Sequence, residues 1–131
     1  MSQAKEQHGS FCTAVNCMDG RFQEPVIAYL KKRLGVSYVD MITEPGPNRI
    51  LAAGTDAPRI QSILARIRIS VEKHHSRHIA VIGHEDCAGN PSARPQQAGH
   101  TRRAVEYIAQ SCPGVQVIGL WASLDGAVVE V

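Results

Sequence analysis

Phe11-Cys-Thr-Ala-Val-Asn-Cys-Met-Asp-Gly-Arg21 is the stretch that decides how this chain folds. Its first seven residues are largely apolar, and the run stops abruptly at a thiol, a carboxylate and a guanidinium. A run of strand-formers that ends in functional groups reads as a buried strand delivering chemistry at its carboxyl end. A second stretch does the same: His78-Ile-Ala-Val-Ile-Gly83 runs straight into His84-Glu-Asp-Cys87. Together the two endings offer two Cys and one His, the protein ligands of a zinc site that keeps one position open.

The rest of the chain alternates strands and helices around these two. Phe11 to Cys17 is apolar on both faces, as parallel strands covered by helices are. Gln23-Glu24-Pro25 opens a helix with Val26, Ile27, Leu30 and Leu34 at helical spacing, and Gly35 closes it. Ser37 to Thr43 is a second strand, and Glu44-Pro-Gly-Pro-Asn48 reads as a loop from its breakers. Asp56-Ala57-Pro58 starts a long helix that turns Ile60, Ile63, Leu64, Ile67 and Val71 to one side. Ile79 to Gly83 is the third strand. Gly89 through Gly99 reads as loop, and a further helix begins near Thr101 with Ala104, Val105, Ile108 and Ala109 inward. Val115 to Trp121 is a fourth strand, and Asp125-Gly126 predicts a two-residue hairpin that returns Ala127 to Val131 antiparallel.

This alternation predicts an α/β fold of three layers, with a central, mostly parallel sheet and right-handed crossovers. With the first strand central, the expected order is 2-1-3-4, plus a C-terminal antiparallel strand. The chain then reverses direction between strands one and three, and open α/β sheets bind ligands at that switch point. Cys17 and His84 end those two strands. Neighbouring strands lie about 4.8 Å apart, so one ion can be reached from both, and Cys87 can curl back to close a third side.

The bulk composition narrows the classes. A chain of 131 residues, 44% hydrophobic and 20% charged, suits one globular domain with a single real core. Residues 1–10 read as a flexible polar leader without the apolar segment of a signal peptide, and residues 11–131 as the domain. A net charge of +2 and a scarcity of aromatics argue against nucleic acid or an anionic membrane as partner. No apolar run approaches the roughly 18 residues a membrane span needs. The expected compartment is the cytoplasm, where four cysteines point to metal or catalysis rather than to disulfides.

Two thiolates and one imidazole make a formally neutral zinc site, which holds the ion firmly and leaves it a Lewis acid. Asp19 and Arg21 follow Cys17 at alternate positions of an extended segment and can pair. Such a pair keeps Asp19 ionised and aims it at a proton beside the metal. A carboxylate so placed could instead take the fourth position and shut the site.

The residues carry a family resemblance. C-M-D-G-R at Cys17–Arg21 and G-H-E-D-C at Gly83–Cys87 resemble the C-x-D-x-R and H-x-x-C signatures of the β-class carbonic anhydrases. The separation of the two motifs, the long helix before the second, and Gly119-Leu-Trp121 ahead of an Asp-Gly hairpin are also similar. The resemblance implies one zinc ion per chain on Cys17, His84 and Cys87. It implies Asp19 and Arg21 as the dyad orienting a zinc-bound hydroxide, and reversible hydration of carbon dioxide to bicarbonate as the reaction. A small-molecule substrate and a homo-oligomer follow from the same likeness. Met18, Gly20 and Ala88 depart from the family pattern, and most of its amino-terminal helical arm is missing. The alternatives are hydrolysis of a related molecule such as carbon disulfide or carbonyl sulfide, or a non-catalytic zinc or redox-responsive module.

The remaining candidates have plainer readings. Cys12 and Cys112 are expected as small core residues. His74, His75 and His78 suit a helix carboxyl end, and His100 is expected in solvent. Asp86 can hydrogen-bond near the ligands, Asn48 and Arg49 lie in a loop approaching the site, and Gly83 and Gly89 are expected to let the backbone turn around the metal.

Overall fold

The structure, a computed structural model, describes residues 10–131; the leader expected over residues 1–10 lies outside these except for Ser10. Strand β1 (Phe11–Cys17) leads through a single 3-10 turn (Gly20–Phe22) into helix α1 (Glu24–Leu34), which Gly35 ends in the left-handed conformation. Strand β2 (Tyr38–Glu44), helices α2 (Pro47–Ala53) and α3 (Ala57–Lys73), and strand β3 (His78–His84) follow. Helix α4 (Arg94–Ser111) and strands β4 (Gln116–Ala122) and β5 (Val128–Glu130) complete the fold.

The sheet has the order β2-β1-β3-β4-β5, with the first four strands parallel and β5 antiparallel to β4, as the strand–helix alternation predicts. Both faces of the central strands are buried. Val15, Ile79 and Val81 meet Ile60, Ile63, Ile67 and Ile108 from α3 and α4. Cys12, Ala14, Ala80 and Ile82 meet Phe22, Val26 and Leu30 on the other side. The period-two alternation of side chains assigns each residue to its layer, and covering both layers explains why neither β1 nor β3 shows a polar face.

The central pair forks. Strands β1 and β3 are in register only from Thr13↔Ile79 to Val15↔Val81. Beyond that point β1 stays with β2 as far as Cys17↔Glu44, while β3 stays with β4 as far as His84↔Ala122. The crevice expected at the topological switch point is this fork.

Four expectations need correction. The Glu44–Asn48 loop is shorter than its breakers suggest, because Pro47 begins helix α2; proline's fixed φ and missing donor are tolerated in a first helical turn. Helix α4 starts at Arg94 rather than near Thr101, so Gly89–Gly99 is loop only in its first part; Pro95 stands in the first turn and Ala93 gives no side-chain cap to mark the start. Within α4, Ala109 is exposed, and Gln97 and Thr101 take inward places with Ala104 and Ile108. Finally, β4 and β5 pair from Ala122↔Val128 across residues 123–127 rather than a two-residue turn, with Ser123 N–H donating to the Ala127 carbonyl at 2.9 Å.

Candidate metal centre

The end of β1 delivers Cys17 and the end of β3 delivers His84, on the two arms of the fork. Cys87 comes three residues later, after a turn in which Asp86 adopts φ 58°, a left-handed conformation that Asp tolerates better than most side chains. One ligand atom from each of Cys17, His84 and Cys87 lies within 4.8 Å of the others, and all three residues are buried. No other such group of three or more His, Cys, Asp or Glu occurs among the described residues.

Three observations test whether these residues suit a metal. The two sulfurs are 3.9 Å apart, and a tetrahedral ion at thiolate bond lengths of about 2.3 Å holds two sulfurs about 3.8 Å apart. His84 Nδ1–H donates to the Glu85 carbonyl at 2.7 Å, which fixes the tautomer and leaves Nε2 as the free lone pair. That Nε2 is buried without a hydrogen-bond partner, an arrangement that costs free energy unless something else fills the position. The cluster can therefore hold a soft divalent ion. Burial pushes the Cys17 thiol up, but the adjacent His84 imidazole and the backbone N–H groups of Gly46 and Asp19 outweigh it and bring the thiol down to about 7. Burial keeps Cys87 above its ordinary value. One thiol is thus ready as thiolate near neutral pH, the form a metal takes.

Asp19 and Arg21 pair as expected, though not along an extended segment: Asp19 caps the 3-10 turn Gly20–Phe22 that carries Arg21. Arg21 Nη2 donates to Asp19 Oδ2 at 2.7 Å and Nε donates to Oδ1 at 3.0 Å, a two-point contact completed by the Arg21 backbone N–H at 3.0 Å. The Arg21 hydrogen bonds hold the Asp19 carboxyl at about 2, well below the usual carboxylate range. Arg21 is braced in turn by Asp86, through Oδ2 at 3.3 Å and the carbonyl at 3.2 Å. Gln23 ties the intervening turn by donating to the Cys17 and Asp19 carbonyls at 2.8 and 2.9 Å. Phe22, between the two halves of the motif, lays its ring on His84 with centroids 4.2 Å apart.

The sequence does not plainly mark the polar layer behind the thiol–imidazole–thiol cluster. Gln97, Asn48, Asn90 and Thr101 are all buried and joined by hydrogen bonds, with Asn48 Nδ2 donating to Thr101 Oγ1 at 3.1 Å and Asn90 Nδ2 donating to Asn48 Oδ1 at 3.1 Å. His100, expected in solvent, is half-buried and accepts through Nδ1 from Asn90 Nδ2 at 3.0 Å. Arg49 is exposed and joins this layer only through its backbone N–H, which donates to Asn48 Oδ1 at 2.9 Å. The signal was present: 97, 101, 104 and 108 follow helical spacing, but Gly99 made the stretch look like loop. Gly83 and Gly89 are corrected too. Neither has positive φ; both make room instead. A Cβ on Gly83 would stand 2.9 Å from Asn48 Nδ2 and 3.0 Å from Gln97 Oε1, and one on Gly89 2.3 Å from the Pro45 carbonyl carbon. Cys12 is core, Cys112 packs against the core only partly buried, and His74 pairs with Asp40 at 2.7 Å at the amino-terminal end of the strands, beside Phe11.

A parallel sheet that opens onto a thiol–imidazole–thiol cluster, beside a carboxylate locked by arginine, defines a protein organised around a potential metal site at its switch point. A model of the family described as "Putative carbonic anhydrase" matches residues 7–131. The chain belongs to this carbonic anhydrase family. A carbonic anhydrase from Streptococcus mutans is 19% identical with a TM-score of 0.58, over 99% of this chain and 92% of that one. The β-carbonic anhydrase CafA of Aspergillus fumigatus is 14% identical with a TM-score of 0.52, over 99% and 84%. A structure from Sordaria macrospora, described with two tetrameric β-carbonic anhydrases, is 14% identical with a TM-score of 0.53, over 100% and 85%. At these identities the likeness is one of fold. No curated protein matches the sequence.

Proposed function

We propose that this chain is a zinc-dependent carbonic anhydrase that reversibly hydrates carbon dioxide to bicarbonate. In this reading Cys17, His84 and Cys87 hold one Zn2+ and Asp19 with Arg21 forms the catalytic dyad. The observation that carries it is the unpartnered Nε2 of His84 facing two sulfurs 3.9 Å apart, next to a carboxylate whose oxygens are both held by Arg21. Zinc bound at such a site supplies Lewis acidity that lowers the pKa of water. The chain's own residues do the rest. Asp19 stays ionised across the physiological range and accepts a hydrogen bond at Oδ1 or Oδ2 without leaving Arg21. Held that way, it stands outside the group of Cys17, His84 and Cys87, which has no fourth member among the described residues. Structural zinc sites usually take four protein ligands and catalytic ones three, so the count favours catalysis.

Membership of the carbonic anhydrase family supports the reaction, and the tetrameric description of the Sordaria macrospora proteins supports a homo-oligomer. We further read residues 11–131 as one cytoplasmic domain; no helix among the described residues is long and apolar enough to cross a membrane. Metal analysis and stopped-flow carbon dioxide hydration test the proposal. About one zinc per chain, a rate above background, and loss of that rate with zinc retained in Asp19→Ala are expected. Zinc-loaded protein without a rate would leave the binding-module reading, or carbon disulfide or carbonyl sulfide as substrate. Cys87→Ser with unchanged zinc content would remove the metal assignment.

A further inference from the structure

Where β1 and β3 part, a strand edge is left open. The Glu85 N–H donates to the Ala122 carbonyl at 3.0 Å, so the peptide groups on either side of His84 alternate between β4 and the β1 side. The N–H and C=O of His84 itself face the β1 side, and β1 has already turned away. Both would be buried and unpaired, which is costly for a peptide group that has left water.

Gln97 fills the gap from helix α4. Its Nε2 donates to the His84 carbonyl at 2.7 Å and to the Asn90 carbonyl at 3.2 Å, while its Oε1 accepts from the His84 N–H at 3.3 Å. The primary amide thus replaces the missing strand with one donor and one acceptor. Oε1 also accepts from Asn48 Nδ2 at 3.3 Å, which fixes the amide's orientation from helix α2. Gly83 leaves the space: a Cβ there would stand 3.0 Å from Gln97 Oε1. At 1% exposure Gln97 has no solvent to turn to.

We infer that Gln97 is a positioning residue for the metal centre: its amide takes the place of β1 against the His84 backbone, so that the fork stays open while His84 and the loop to Cys87 stay in place. The inference rests on the reading of Cys17, His84 and Cys87 as metal ligands. Outer partners of a ligand typically change metal affinity 10- to 100-fold, and a loss of about that size is expected in Gln97→Met, which keeps the volume and removes both hydrogen bonds to His84 along with those to Asn48 and Asn90. Gln97→Glu, whose carboxylate cannot donate to the His84 carbonyl, should fall in the same range.

Zinc affinity by chelator competition and the visible spectrum of the Co2+-loaded protein are the readouts, with thermal unfolding of the metal-free protein measured alongside. Ile108→Ala weakens packing of the same helix without touching His84; it should melt lower yet keep the wild-type affinity and spectrum. If Gln97→Met does not fold, Gly83→Ala displaces the same amide and should reproduce the affinity loss. Folded Gln97 variants that match the wild type in zinc affinity and Co2+ spectrum would overturn the inference while leaving the metal site standing. Equal losses in Ile108→Ala would overturn it as well, by making the effect general. A wild-type chain that binds no zinc would bring down the proposed function instead, and this inference with it.

Discussion

Gly89→Ala should separate the two loops that frame the candidate metal site. The Gly89 backbone rests directly on the Pro45–Gly46 peptide, and a Cβ there would lie 2.3 Å from the Pro45 carbonyl carbon and 2.6 Å from the Gly46 nitrogen. Ordinary contact begins at 3.4 Å, so the loops must part by about 1.1 Å. No flexible side chain can swing aside, since every atom in the clash is backbone. Overpacking costs about 1–3 kcal/mol, and a backbone clash belongs at the upper end. With an unfolding entropy of about 2.1 cal/mol/K per residue, about 3 kcal/mol lowers Tm by about 10 °C for a chain of this length. The effect on the site should be larger in proportion. Gly46 contributes a backbone N–H toward Cys17, Cys87 lies two residues before Gly89, and metal bonds tolerate only about 0.2 Å of misplacement. Thermal unfolding of the metal-free protein and chelator competition for zinc measure the two consequences. A variant that melts within about 2 °C of wild type and holds zinc equally well would refute the close approach and the reasoning built on it.

Gly99→Ala is the opposite case. Its Cβ would meet nothing within 4 Å and its φ is not positive, so removing a helix-interior glycine should raise stability by about 0.5–1 kcal/mol in urea titration. Cys12 should give the fold an alkaline limit. Burial, aided by Asp40, raises its thiol from 9.0 to about 11, so the unfolded chain ionises first. Its contribution to stability is intact below pH 9.0 and falls as pH rises toward 11, by of order 2 kcal/mol. The stability gap between wild type and Cys12→Ala should therefore narrow between pH 9 and 11, and a constant gap would refute the assignment.

Much of this molecule is legible in the sequence because the strands are buried on both faces. Apart from Thr13, which bonds Ser70 at 2.6 Å, Phe11–Cys17 and His78–His84 gather their polar groups at their ends, so strand and site announce themselves together. Asp56 capping α3, with its carboxylate accepting from the Arg59 N–H at 3.2 Å, is equally local and equally plain. What escaped is set by neighbours distant in sequence. Pro45, Gly46 and Pro47 look like loop residues until a helix is seen to use Pro47 in its first turn. Gln97 looks like a polar loop residue, and only the parting of β1 from β3 gives its amide something to replace. The contact of Arg21 with Asp86 joins residues 65 apart and depends on a left-handed Asp that no local pattern marks.

The alternation of side chains along the forked strands has one more consequence. Cys17 belongs to the side of the sheet packed by α3, whereas His84 belongs with Phe22 to the side packed by α1. Elsewhere a sheet insulates its two layers from each other, and each can tolerate drift independently. Here they share a single junction, and an atom seated there reads the alignment of both. Repacking either layer close beside Cys17 or His84 shifts one ligand against the others, whereas a loss further along the helix, as at Ile108, leaves them in place, so two otherwise separate cores meet at one point a few ångströms wide.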